Sequence, residues 1–256
     1  MRVQLPASLG AVTPMTAAET ADLIQDHAAE HRPTVFLGNL NLHALYLLQR
    51  DEIFARYCAS ADYTLIDGWP VLKLAQRSTK RDLSSDHRVG STDWLDTLLA
   101  RDARLDVVSI GGAPDTAAGM VAHVRRAAPS MSWSAFDGYD VRWRAGTGSE
   151  TSLSEALAGA DLVLVGMGMP RQERWILENR HLIGEAVIAN VGGCLDYYTG
   201  AQELAPRWMG RVGVEWLYRL AKDPRRLAHR YLIEPFELLV MVAGSRWRSP
   251  LIGGSE

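Results

Sequence analysis

The sequence predicts an α/β protein: a Rossmann-like, mainly parallel sheet with flanking helices, followed by a helical, basic C-terminal appendage. Three observations carry this. Apolar runs of strand length recur as far as "AVIANVGG", they are continuous rather than alternating, and helix-length segments separate them. A strand exposed on one face alternates apolar and polar residues, whereas a continuous run needs cover on both faces, as in a parallel sheet whose crossovers are helices.

Taken in order, residues 16–31 form the first predicted helix and "TVFLG" near Val35 the first strand. A helix over 41–58 follows, containing "LHALYLL", and then the strand "YTLID" near Leu65. Helix 91–101 leads to the strand "LDVVSIGG" near Val108, and helix 114–127 to the run "SWSAFDG". The next stretch, "GYDVRWRAGTGSE", is rich in Gly, Ser and Thr and reads as a surface excursion. "DLVLVG" near Leu164, helix 170–181 and "AVIANVGG" near Ile188 complete the core. From Pro206 the pattern is helical only, so the chain divides into a core, 1–205, and an appendage, 206–256.

Composition narrows the function classes. At 256 residues, 47% hydrophobic and 22% charged, the chain can bury a substantial core. Cys58 and Cys194 sit in apolar surroundings without CxxC or His-rich spacing, which predicts reduced core thiols of a cytoplasmic protein. No leader-like or membrane-spanning run is seen. The net charge of -3 conceals an asymmetry: residues 207–256 carry nine of the 27 basic and five of the 30 acidic residues, a net +4 against -7 for the rest.

In open parallel sheets, ligands bind beyond the carboxyl ends of the strands, and the polar residues of this chain gather there. "SIGGAPDTAAG" runs a strand into Gly111-Gly112 and a helix, an arrangement that lets backbone N–H groups approach an anion or simply makes a tight turn. It lacks the GxGxxG and P-loop spacings. "GMGMPRQERW" adds Gly166 and Gly168 for close backbone approach, Pro170 for the first helical turn, and Gln172 and Glu173 at the positive helix end, either facing the cleft or capping the helix.

Asp67 ends a buried strand beside Gly68, where a partly desolvated carboxylate suits a general base toward a sugar hydroxyl, or a helix N-cap. Asn39 and Asn41 join it as catalytic candidates, with capping of the "LHALYLL" helix as the competing role. No metal-ligand spacing such as HExxH or DxD occurs, so no metal or cofactor is expected and arginines must neutralise any departing diphosphate. The tail supplies Arg207, Arg219, Arg225, Arg226 and Arg230, interleaved with Trp and Leu that suit a membrane interface or burial in a homo-oligomer; no nucleic-acid partner is expected.

In order and spacing, "DYTLIDGWPV", "RVGSTDWL", "VSIGGAPDTAAG", "DLVLVGMGMPRQERWI", "NVGGCLDYYTGAQELAPRWM" and "GVEWLYRLAKDPRRLAHRY" resemble the WecG/TagA/CpsF glycosyltransferases, glycosyltransferase family 26, over about residues 35–232. The resemblance implies inverting, metal-independent transfer of a sugar from a UDP-sugar to a polyprenyl-diphosphate-linked sugar, in surface polysaccharide or wall polymer assembly. It places the enzyme at the cytoplasmic face of the inner membrane. It implies Asp67 as the base, Gly111, Gly112, Gly166, Gly168, Pro170, Gln172 and Glu173 in the donor pocket, and Asp196 and Tyr139 near the nucleotide. The tail arginines would close over the diphosphate. This chain departs from the family at Asn39, where many members have Thr. The rival readings are a non-catalytic nucleotide- or sugar-binding protein and a nicotinamide-dependent oxidoreductase, the latter lacking its glycine fingerprint.

Overall fold

A computed structural model of the chain describes residues 2–138 and 152–247. The surface excursion predicted at 138–150, and Tyr139 with it, lies outside the described residues except for Gly138. A short antiparallel pair, β1 (Val3–Gln4) and β2 (Ala11–Val12), opens the chain and bonds to the sheet edge through Thr13 N–H and the Thr64 carbonyl at 2.7 Å. The strands β3 (Val35–Leu40), β4 (Tyr63–Ile66), β5 (Asp106–Gly111), β6 (Ser132–Phe136), β7 (Leu162–Gly166) and β8 (Val187–Asn190) form one sheet in the order β4-β3-β8-β7-β5-β6. Every neighbouring pair is parallel.

The helices are α1 (Ala17–Glu30), α2 (Leu42–Leu48), α3 (Glu52–Ser60), α4 (Trp69–Ser78), α5 (Ser91–Arg101), α6 (Pro114–Ala127), α7 (Leu153–Ala158), α8 (Arg171–Asn179) and α9 (Cys194–Tyr198). Thr16 and Glu19 close a reciprocal capping box at the start of α1, which fixes that boundary. The single helix predicted over 41–58 is two. Asp51 accepts from Phe54 N–H at 2.8 Å and starts α3 afresh, so the charged "QRDE" stretch is a break rather than an exposed helix face. Helix 170–181 is likewise shorter, ending in a 3-10 turn over Arg180–Leu182.

Continuous strand hydrophobicity has the expected cause. On β7, Leu162 and Leu164 pack into a core shared with Leu98 and Met120 of α5 and α6, while Val163 and Val165 pack into the opposite one with Trp175 and Ile176 of α8. Both faces are covered, and each strand must be apolar on both. Beyond the core the chain is helical: α10 (Arg207–Val212), α11 (Glu215–Lys222), α12 (Pro224–Ala228), a π turn over His229–Ile233, and α13 (Glu234–Trp247). Leu238 of α13 packs among Leu45, Phe54 and Leu72, so this helix is docked on the core.

The chain leaves β5 toward β6 at one edge and leaves β7 toward β8 in the other direction, so the two neighbours part at their carboxyl ends and open a crevice. Gly111 and Gly166 face each other there. A Cβ on Gly111 would lie 2.3 Å from the Gly166 carbonyl oxygen, and φ is 151°. Gly111→Ala should therefore lower stability by about 2–4 kcal/mol in urea unfolding. Gly168→Ala, with φ 77° but no atom within 4 Å of the added carbon, should lose only about 1 kcal/mol.

Candidate active site

The crevice is walled by backbone. A Cβ at Gly112 would strike Thr116 at 2.6 Å and approach Asp196 Oδ1 at 3.2 Å, so this corner admits only glycine between α6 and α9. Asp196 is set by two donors, Thr116 Oγ1 to Oδ1 at 3.3 Å and Gln202 Nε2 to Oδ2 at 3.0 Å. Gly168 turns with positive φ into Pro170, whose residue precedes the first turn of α8.

Gln172 and Glu173 are buried, with exposures of 1% and 0%, and neither caps α8. Glu173 Oε1 accepts from Gln172 Nε2 at 2.7 Å and from Asn190 Nδ2 at 2.6 Å, while Gln172 Oε1 accepts from Gly192 N–H at 3.0 Å. Asn190 Oδ1 in turn accepts from Asn39 N–H at 3.0 Å. Asn39 completes the chain, donating through Nδ2 to Ser91 Oγ at 2.8 Å and to the Asn190 carbonyl at 2.9 Å. Its Nδ2 is thereby committed to internal partners, while Oδ1 is buried without one. Burial pushes the Glu173 carboxyl up, against the lowering effect of its two amide donors.

Asp67 follows β4, and its N–H bonds the Leu40 carbonyl at 3.0 Å. It is not a helix cap, since Gly68 occupies that position of α4 without a side-chain bond. Asn41 takes the capping role and also reaches the neighbouring carboxylate. Its Oδ1 accepts from Ala44 N–H at 3.0 Å and caps α2, while Nδ2 donates to Asp67 Oδ2 at 3.1 Å. One carboxylate oxygen is thus held in place by an amide donor.

The tail roofs this region. A cavity of about 470 Å³ is lined by Gly193, Tyr197, Gln202, Tyr218, Arg219 and Arg230. A second, of about 340 Å³, contains Asn41, His43, Asp67, Trp69, Arg88 and Trp216 and is closed by the same Arg219 and Arg230. Arg219 pairs with Glu215 and lies over the Tyr197 ring, 5.6 Å from its centroid. Desolvation opposes the charge of Arg230 and lowers its pKa, with Tyr231 and Asp67 acting the other way. Trp69 joins tail to core: Nε1 donates to the Gly210 carbonyl at 2.9 Å, and a Cβ on Gly213 would lie 3.0 Å from the indole. Arg225 is exposed on α12 and lines neither cavity. The side chains of Arg207 and Arg226 lie outside the described set. Among the described residues no group of three or more His, Cys, Asp or Glu side chains is arranged to hold a metal ion.

The model of the Glycosyl transferase WecG/TagA/CpsF family matches residues 8–251. The chain belongs to this glycosyltransferase family. Two relatives carry the name N-acetylglucosaminyldiphosphoundecaprenol N-acetyl-beta-D-mannosaminyltransferase. That of Bacillus subtilis (strain 168) is 28% identical over 225 residues, 86% of this chain and 84% of the relative. That of Staphylococcus aureus (strain MW2) is 26% identical over 206 residues, 75% and 78% of the two chains.

In this WecG/TagA/CpsF glycosyltransferase, several cavity residues were not singled out from the sequence. Tyr197, Tyr231, His43, Trp69 and Arg88 line the cavities, and only tertiary contact marks them. Arg88 lies over the Trp69 ring, 5.6 Å from its centroid, and its Nε is buried without a partner. The two thiols are buried or half-buried, and burial pushes Cys58 up to about 12, which leaves it a poor nucleophile.

The buried amide-carboxyl chain generates a prediction. Glu173→Ala strands the Asn190 and Gln172 amides and should lose about 2–4 kcal/mol of stability. Glu173→Gln keeps the accepting oxygen and should unfold at neutral pH near the wild-type urea midpoint. Because the folded carboxyl is raised, the wild type gains stability as pH falls from the folded value toward the ordinary carboxylate range. Urea midpoints across pH should show that gain in the wild type and not in Glu173→Gln.

Proposed function

We propose that the protein transfers an N-acetylhexosamine from a UDP-sugar to a sugar carried on a polyprenyl diphosphate, with inversion and without a metal ion, in assembly of a cell-wall or surface polymer. The observation that supports this best is the placement of Asp67 in one cavity whose roof, Arg219 and Arg230, also closes the neighbouring one. A displacement needs a base on one side of the anomeric carbon and charge to receive the leaving group on the other. Asp67, its Oδ2 held by Asn41, takes the proton of the acceptor hydroxyl. The oxygen attacks the anomeric carbon as its bond to UDP breaks, and the arginines and the glycine-lined crevice receive the departing diphosphate. The relatives' names specify an acceptor on undecaprenyl diphosphate and a β-linked product, which inversion of an α-linked nucleotide sugar would give.

No helix among the described residues is long and apolar enough to cross a membrane. The tail nevertheless exposes Leu232, Ile233, Phe236, Leu239 and Val240, with Phe236 at 69% and Val240 at 72% exposure. With the basic residues around them, these suit peripheral contact with the anionic cytoplasmic face of the membrane, where the lipid-linked acceptor resides.

The deciding experiment incubates the protein with a panel of UDP-sugars, UDP-N-acetylmannosamine among them, and a short-chain lipid-diphosphate N-acetylglucosamine, and reads the product by mass. Transfer is expected; UDP binding without transfer from any donor would favour a non-catalytic binding protein. In the same assay Asp67→Asn should bind UDP normally but turn over about 10²- to 10⁴-fold more slowly. Excess EDTA should leave the rate intact, and inhibition reversed by magnesium or manganese would overturn the metal-free mechanism.

A further inference from the structure

The cavity that holds Asp67 has a second wall that the transfer chemistry above does not use. His43, on the first turn of α2, faces Glu234 at the start of α13: Nδ1 lies 2.5 Å from Glu234 Oε2. Glu234 is only 6% exposed, and its other oxygen lies 3.5 Å from His229 Nδ1. A buried carboxylate is costly unless it is paired, so the pair requires the tail and core to meet at this point. The ring is oriented by this bond, and His43 lines the cavity with Asp67, Arg88 and Arg230. The same cavity has apolar walls at Leu42, Trp69, Trp216 and Pro235, and Pro235 leads directly into the exposed apolar residues of the tail beginning at Phe236.

This continuity offers an acceptor at a lipid surface a path along α13, with its sugar at Asp67 and its diphosphate between them. We propose that His43, oriented by Glu234, binds the diphosphate of the lipid-linked acceptor through Nε2. With Nδ1–H given to Glu234, Nε2 of the neutral ring has only a lone pair, so it donates to a phosphate oxygen only once protonated. Burial and then Arg230 lower the His43 pKa, with Glu234 opposing them and His229 adding to the lowering. A diphosphate placed beside Arg230 and Arg88, across from Asp67, reverses the sign of the local charge. Binding takes up a proton at Nε2 and converts the pair into a charge-assisted contact. The competing role, a latch that merely docks α13, is shared by Glu237, which accepts from Tyr46 at 2.7 Å and from Arg50 at 3.3 Å outside the cavity.

The assignment rests on the transferase function proposed above, and its test is a binding measurement that does not depend on turnover. Farnesyl diphosphate, which carries no sugar, and UDP are titrated calorimetrically into the full chain in two buffers of different ionisation enthalpy. The wild type should bind farnesyl diphosphate with proton uptake. His43→Gln and Glu234→Gln should weaken that binding about 10- to 100-fold, the worth of one charge-assisted hydrogen bond, and His43→Gln should abolish the extra uptake. UDP affinity should be unchanged in both, and Glu237→Gln should bind both ligands as the wild type does. Four results would overturn the proposal: no binding of farnesyl diphosphate by the wild type, unaltered binding by His43→Gln, an equal loss in Glu237→Gln, or a loss confined to UDP. Binding that behaves as expected in a protein that transfers no sugar would remove the transferase function and leave the diphosphate site standing.

Discussion

The arrangement of the crevice depends on one buried carboxyl. Glu173 sits where α8 begins, and its Oε1 gathers amides from Gln172 and Asn190, while Gln172 holds the backbone of Gly192 and Asn190 holds that of Asn39. These bonds tie the ends of β3 and β8 to the glycine turn after β7. Three loops that carry polar residues toward the crevice are thus fixed relative to one another by buried side chains. A buried amide or carboxyl without partners would be costly, so the network holds together as a unit.

On this framework the tail adds what the sheet lacks. The loops supply backbone N–H groups, the carboxylates of Asp67 and Asp196, and the guanidinium of Arg88; Arg219 and Arg230 come from α11 and the π turn after α12 and stand at the border of the two cavities. Their position explains why the charge asymmetry of the sequence matters more than its net charge. The basic appendage meets the acidic core at the place where a diphosphate would need neutralising, and Trp69, Glu234, Glu237 and Leu238 are among the points at which the two are fastened.

Much of this was legible beforehand because its causes are local. Continuous apolar runs gave the strands, since both faces of each are covered; the helices read at 16–31 and 114–127 start within a residue of α1 and α6. The break at Asp51 was missed because a charged run inside a helical pattern reads as a solvated face until the cap is seen. The internal bonds of Gln172 and Glu173 were illegible for a related reason: polar residues after a glycine turn normally meet solvent or ligand. Asn190, which bonds Glu173, is 17 residues further on, and Asn39 is 151 residues from Asn190. The cavity residues Tyr197, Tyr231 and His43 carry no spacing signature, because what unites them is the docking of the tail.

The fastening at Trp69 has an optical consequence. Its indole is held between the Gly210 carbonyl and Gly213 of the tail on one side and the Arg88 guanidinium on another. Lifting the tail exchanges a fixed carbonyl and a glycine backbone for mobile water dipoles, and indole emission moves to longer wavelength in such surroundings. The chain has eight tryptophans, so subtraction of a Trp69→Phe spectrum isolates this one. The protein thereby carries an intrinsic fluorophore at the seam between core and appendage, through which opening and closing can be followed in real time on vesicles without any added label.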